Sequence, residues 1–191
     1  DGLANFTKLN TLVLDSCESL ANMDGLANCT NLAKLDLSGC DSLKNVDGLA
    51  NCTKLTQLDL KYCDSLKNVD GLVNCTKLTS LNLSNSDFTS LPVGLDKILS
   101  LTHLDLQNCA ALGTVVGLQK CRALQTLNLA GCNELTRLKL NGLPKLNVLN
   151  LDECWKLKKL ELSHLPSLSE LSLIGDSRSW HYAGILYTFI E

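Results

Sequence analysis

Ten cysteines, a Ser80, His103 and Asp105 set, and the aspartates Asp36 and Asp59 are the residues of this chain whose types suit redox, hydrolytic or metal chemistry. The cysteines fall into two columns: Cys17, Cys40, Cys63, Cys109, Cys132 and Cys154 in one, Cys29, Cys52, Cys75 and Cys121 in the other. Their closest pair is eleven residues apart, so there is no C-x-x-C and none of the usual zinc spacing. A free cysteine packs as a small buried hydrophobe with a weak S–H donor, which suits an interior position that recurs. Ser86 and Ile98 stand where the columns would place further cysteines, and such replacements fit packing and not ligation. Reduced, structural thiols are the expectation, and they favour an intracellular, cytoplasmic home over a secreted one. Thiols stacked on neighbouring coils would still come within bridging distance, which a thiol count decides.

Ser80 and His103 are 23 residues apart, with Asp105 two further on, and together they have the residue types of a hydrolase triad. Asp36 and Asp59 are also 23 apart and would suit calcium if they stood side by side. Lys34 and Lys61 flank them, so a solvated, salt-bridged surface is the simpler reading. No Gly-rich phosphate loop, H-E-x-x-H or nucleophile elbow occurs. No catalytic residue, metal ligand or cofactor is therefore expected. Four sequons, at Asn5, Asn28, Asn51 and Asn74, recur at the same spacing. Asn and Thr before a strand commonly bond backbone groups, and turn chemistry is the expectation ahead of glycosylation.

What must position these residues is a repeat. Leu9, Leu32, Leu55, Leu78, Leu101 and Leu124 are spaced by 23, and Leu146 and Leu168 follow at 22. Each opens the frame L-x-x-L-x-L-x-x-C, and the three leucine positions of all eight frames are leucine without exception. With 45 leucines in 191 residues, chance placement does not produce that. The L-x-L pair has period 2, so its leucines point to one face of a short strand and their neighbours to the other. The segment after each Cys, such as residues 41–49, is short and rich in Gly and Asn, which predicts turns, 3₁₀ and at most one helical turn. One coil cannot bury its leucines alone. Stacked coils can, with the strands forming a continuous parallel sheet of spacing about 4.8 Å.

The frame over residues 9–173, with Cys in its ninth position, resembles the leucine-rich repeat proteins and is similar to their cysteine-containing class. Its length of 23 is shorter than that class usually runs and nearer to bacterial and regulatory-subunit types. The resemblance implies a curved, right-handed solenoid of the α/β class, mostly β and irregular. About eight short parallel strands would line its concave face, and that face would bind a partner. On this reading residues 1–175 are the array: a half repeat at 1–8, then repeats starting at 9, 32, 55, 78, 101, 124, 146 and 168.

Departures from the frame carry expectations of their own. The return segment 90–99 of the fourth repeat could form a helical turn, and the L-x-L at 138–140 and 160–162 predicts short strands on the outer face. Residues 176–191 hold four of the eight aromatics, Trp180, Tyr182, Tyr187 and Phe189, and are expected to cap the last coil. The chain opens Asp1-Gly2-Leu3 without a Met, as a fragment or processed product would, and no comparable cap precedes the first coil. Further repeats ahead of it, or self-association through the uncapped coil, would follow.

Positions 3, 5 and 7 of the frame alternate with the leucines and are expected on the concave surface. There the contact residues should be Lys34, Asp36, Gln57, Asp59, Lys61, Asn82, His103, Asp105 and Gln107, with Tyr62 and Trp155 on the rim as aromatic anchors. An open sheet face offers no oxyanion hole, which weighs against the hydrolase set. Net charge is −3 with no basic stripe, and no apolar run nears the roughly 18–20 residues of a bilayer span, so neither nucleic acid nor membrane is the expected partner. Non-catalytic recognition of another protein is the expected function. A ligand-sensing receptor ectodomain and the substrate-selecting array of a larger enzyme, such as a ubiquitin ligase, stay open beside it.

Overall fold

The computed structural model describes residues 2–175 and a strand at Leu186–Ile190. Each frame becomes a three-residue strand centred on its middle leucine: β1 (Thr11–Val13), β2 (Lys34–Asp36), β3 (Gln57–Asp59), β4 (Ser80–Asn82), β5 (His103–Asp105), β6 (Thr126–Asn128), β8 (Val148–Asn150) and β10 (Glu170–Ser172). They form one parallel eight-stranded sheet in chain order. Because the frames repeat residue for residue, the register does too: Leu35 stands opposite Leu12 and Leu58, and Leu81 opposite Leu104. The expected parallel sheet of about eight strands is present.

The return segments are turns, short 3₁₀ pieces such as Asp47–Leu49 and Leu95–Lys97, and strands. The two predicted outer strands form as β7 (Arg137–Asn141) and β9 (Lys159–Ser163). With β11 (Leu186–Ile190) they make a second parallel sheet in the order β11-β9-β7. Apart from that strand, the expected capping tail lies outside the described residues, and so do the packing of Trp180, Tyr182, Tyr187 and Phe189. Leu168, Leu171 and Leu173 of the last described coil are half-buried.

Between the two walls the leucines form one continuous core. Leu32, Leu37, Leu55, Leu60, Leu78 and Leu83 are wholly buried, and the middle row of Leu35, Leu58, Leu81 and Leu104 is nearly so. Each such side chain contributes about 1.5–3 kcal/mol relative to exposure. Leu9, Leu12 and Leu14, on the first coil, are only partly covered.

Two local devices turn the chain out of each strand. In six consecutive repeats the side chain at position 5 (Asp36, Asp59, Asn82, Asp105, Asn128, Asn150) accepts the N–H two residues on through its Oδ1, at 2.9–3.1 Å. This is an Asx turn. Position 8 then takes a left-handed conformation in seven repeats, at Ser16, Gly39, Tyr62, Asn85, Asn108, Gly131 and Glu153, with φ between 55° and 73°. Gly and Asn adopt it readily, whereas Tyr62 and Glu153 pay a steric cost.

The first to third coils approach one another closely at the D-G-L turns. A Cβ on Gly48 would lie 2.0 Å from Met23 O, and one on Gly71 2.3 Å from Val46 O. At Gly25, in the same motif one coil earlier, it would meet nothing nearer than Leu3 Cβ at 3.9 Å. Gly71→Ala is therefore expected to cost stability at the upper end of the roughly 1–3 kcal/mol of overpacking, because backbone must move. Gly25→Ala should leave the thermal midpoint nearly unchanged, and equal shifts for the two variants would refute this packing.

Candidate functional site

The outward side chains of β1–β6 surround a hollow of about 630 Å³. It brings together seven of the expected contact residues: Lys34, Asp36, Gln57, Asp59, Asn82, His103 and Asp105. Thr11, Val13, Ser80, Thr126 and Asn128 complete much of its lining. Lys61 and Tyr62 lie beside it in a separate rim hollow with Asp15, Glu18, Asp41 and Asp64, where Tyr62 is 51% exposed. Gln107 is exposed at the end of the fifth strand but outside both hollows. Trp155 is half-buried on the seventh coil and lines neither.

Two expectations about this face need correcting. Position 7 is not uniformly a surface column, because the chain has already turned: Ser38, Ser84 and Ala130 are buried. The aspartates are not compensated by lysines either. Among the described residues no ion pair joins Lys34 or Lys61 to Asp36 or Asp59. Hydrogen bonds do that work instead: Asp36 accepts the Ser38 hydroxyl at 2.6 Å, and Asp59 accepts the Asn82 amide at 3.1 Å. Of the residues with hydrolase types, Ser80 and His103 are cross-strand neighbours, yet the His103 Nδ1 is 2.8 Å from Thr102 Oγ1 and the Asp105 Oδ1 holds the Gln107 N–H. Those partners leave the three unlinked. Among the described residues no group of three or more His, Cys, Asp or Glu side chains is placed to hold a metal ion.

The Asx role was missed from the sequence, although the signal was present as Asp or Asn at position 5 in six successive repeats. In each aspartate Oδ1 holds the turn, and in Asp59 the second oxygen, Oδ2, accepts the Asn82 amide. Asp36→Ala should therefore cost about 1 kcal/mol, as a lost turn or cap bond does, while Asp36→Asn should keep the melting midpoint. Urea denaturation of the two variants distinguishes them, and equal losses would mean that the bond to Ser38 is not made.

The cysteine columns form ladders inside the wall. Nine of the ten thiols are buried and all ten are free. In the first column Cys40, Cys63, Cys109 and Cys132 each reach a leucine carbonyl 26 residues back, at 3.2–3.4 Å, and Cys154 reaches Leu129 O at 3.1 Å. The second column does the same at 3.6–3.8 Å. Ser86, with its shorter C–O bond, turns instead to its own coil at Ser84 O. Burial pushes the Cys52, Cys109, Cys121 and Cys154 thiols up to about 11, and Cys63 and Cys75 to about 12. Two sequon asparagines bond between coils and not within their own turn: Asn51 and Asn74 donate to Ala27 O and Ala50 O on the preceding coil.

A solenoid of leucine-framed coils with a parallel sheet along one wall is the leucine-rich repeat architecture. Residues 72–183 match the family model of the At1g61320/AtMIF1 leucine-rich repeat domain, and residues 1–70 match that of the leucine-rich repeat domain of the endo-beta-N-acetylglucosaminidase EndoS. The chain belongs to the leucine-rich repeat family. No curated protein matches it. Among solved structures it is similar to the leucine-rich repeat domain of the type III effector XopL, at 18% identity over 100% of this chain and 71% of that one, with a TM-score of 0.68. The internalin InlF of Listeria monocytogenes is similar at 20% identity over 99% and 69% of the two chains, with a TM-score of 0.59. TLR13, solved in complex with the RNA ssRNA13, is similar at 24% identity over 95% of this chain and 31% of its own, with a TM-score of 0.67. At these identities the likeness is one of fold.

Proposed function

We propose that the chain is a non-catalytic recognition scaffold that binds another protein on its concave face. The observation that carries this reading is the hollow over β1–β6, where polar side chains stand on a sheet whose backbone groups are already paired. Such a floor needs little ordering when a partner docks, which limits the entropic cost of association. Its charge supports a protein partner with a basic or hydrogen-bonding surface. Three carboxylates, Asp36, Asp59 and Asp105, line the hollow against one lysine, Lys34. Nucleic-acid phosphates would be repelled there, whatever the RNA does in the TLR13 complex. The free, buried thiols support an intracellular location.

A photocrosslinking residue introduced at Gln57 should capture the partner in cells, while one at the exposed Val73 on the return segment should not. Affinity for the captured protein should fall at least tenfold in the Asp36→Asn, Asp59→Asn, Asp105→Asn variant, whose turns are preserved. Capture from Val73 alone, or unchanged affinity, would remove the concave-face assignment. Tyr62 offers a second check. Tyr62→Gly relieves a left-handed residue worth roughly 1–2 kcal/mol, so the variant should melt higher while binding more weakly if the ring is an anchor.

A further inference from the structure

The outer wall changes construction between the fifth and sixth coils. From the second coil to the fifth, neighbouring return segments are stitched by backbone bridges, Asn45 to Asn68, Asn68 to Val93 and Ser90 to Thr114. From the sixth onward they are stitched by the β7–β9–β11 sheet. Across the seam itself the described residues show one backbone bond, Glu134 N–H to Ala110 O, where the return segment begins. β7 is thus an edge strand facing a groove of about 820 Å³. Its register with β9, in which Lys159 N–H donates to Thr136 O and Gly142 N–H to Ser163 O, commits the backbone groups of Leu138 and Leu140 to β9. Those of Arg137, Lys139 and Asn141 point the other way, and none has a backbone partner among the described residues. The edge cannot rotate away, because Leu138 and Leu140 are buried in the core.

The groove is cationic as well as unpaired. Lys120, Arg122, Arg137 and Lys139 line it, and among the described residues no carboxylate does. Lys120 is paired with Asp96, while Arg137 and Lys139 share Glu161 with Lys159, at 3.9, 3.5 and 2.5 Å respectively, so positive charge is left over. Leu99 and Val116, 62% and 79% exposed, give it two apolar contacts. Among the described residues no aromatic side chain lines it, and with them it offers no stacking platform of the kind single-stranded nucleic acid uses.

We propose that this seam docks an extended acidic segment of a partner protein, which adds as a strand to the free edge of β7. Main-chain bonds would supply affinity and alternate side chains specificity, carboxylates meeting Arg137 and Lys139 and apolar side chains covering Leu99 and Val116. The same cations oppose pairing with a second copy of the edge, since like charges would face one another.

A short fluorescein-labelled peptide of alternating Glu and Val tests this by fluorescence anisotropy with the whole chain. Saturable binding is expected. It should weaken about tenfold, or roughly 1.4 kcal/mol, when alternate peptide amides are N-methylated, and similarly in the Arg137→Gln, Lys139→Gln variant. Both side chains are more than 70% exposed, so the variant should keep its melting midpoint. The Asp36→Asn, Asp59→Asn, Asp105→Asn variant should bind the peptide as the parent does, which separates this site from the concave face. The proposal is overturned by absence of saturable binding at millimolar peptide, or by equal binding of the N-methylated peptide. Equal binding of a Lys-Val peptide, or tighter binding of oligouridylate, would overturn it too.

Discussion

Leu58→Asp is expected to abolish the single cooperative unfolding transition. Leu58 is 2% exposed in the middle of β3, with Leu35 and Leu81 opposite it on the neighbouring strands. Replacing it removes a buried leucine, worth about 1.5–3 kcal/mol, and places a carboxylate in the interior at a further cost of several kcal/mol. That approaches the roughly 5–15 kcal/mol that holds a whole domain together. In a stack where each coil touches mainly its neighbours, the damage is local before it is global. Calorimetry should show the transition lowered and split. Hydrogen exchange should show β2–β4 amides losing protection ahead of those in β6 and β8. Leu58→Met, which conserves volume, should cost less than about 1.5 kcal/mol. A Leu58→Asp chain that melts as the parent does would mean that the leucine row is not the core.

Alkaline pH is expected to destabilise the fold steeply, through the thiol ladders. The ordinary thiol value is 9.0, and burial raises Cys52, Cys63, Cys75, Cys109, Cys121 and Cys154 to about 11 or 12. Between those values the unfolded chain has lost protons that the folded chain still holds, so stability is full below about pH 9 and falls as pH rises above it. Each thiol in that window contributes about 1.4 kcal/mol per pH unit. Urea midpoints measured from pH 8 to 10.5 should drop sharply. The slope should lessen in a Cys52→Val, Cys75→Val variant, a replacement that the buried Ile98 in the same column shows to be tolerable. A flat profile would mean that the thiols are not held in the dry interior.

Much of this was legible in the sequence because a repeat multiplies its own signal. One L-x-x-L-x-L is ambiguous, but eight of them at 22 or 23 residues leave one way to bury all the leucines at once. The outer strands β7 and β9 were visible for the same reason, as a second period-2 pair in the return segment. The hollow was legible in part: seven expected residues line it, since alternation along a strand decides which side chains face outward. Lys61 and Gln107 fall outside it because alternation stops where the strand does, at Asp59 and Asp105, two residues before them.

The leucine frame by itself determined the coil, its register and its core, because burial of apolar side chains depends on spacing alone. The tertiary structure decided what no single coil contains. Which carbonyl each buried thiol reaches, which glycine faces a carbonyl at 2.0 Å, and where the outer wall is left unstitched are all set by the coil next door. Hydrogen bonds and steric contacts act over a few ångströms between residues 20 or more apart in the chain, and only the stacked solenoid brings those residues within that range.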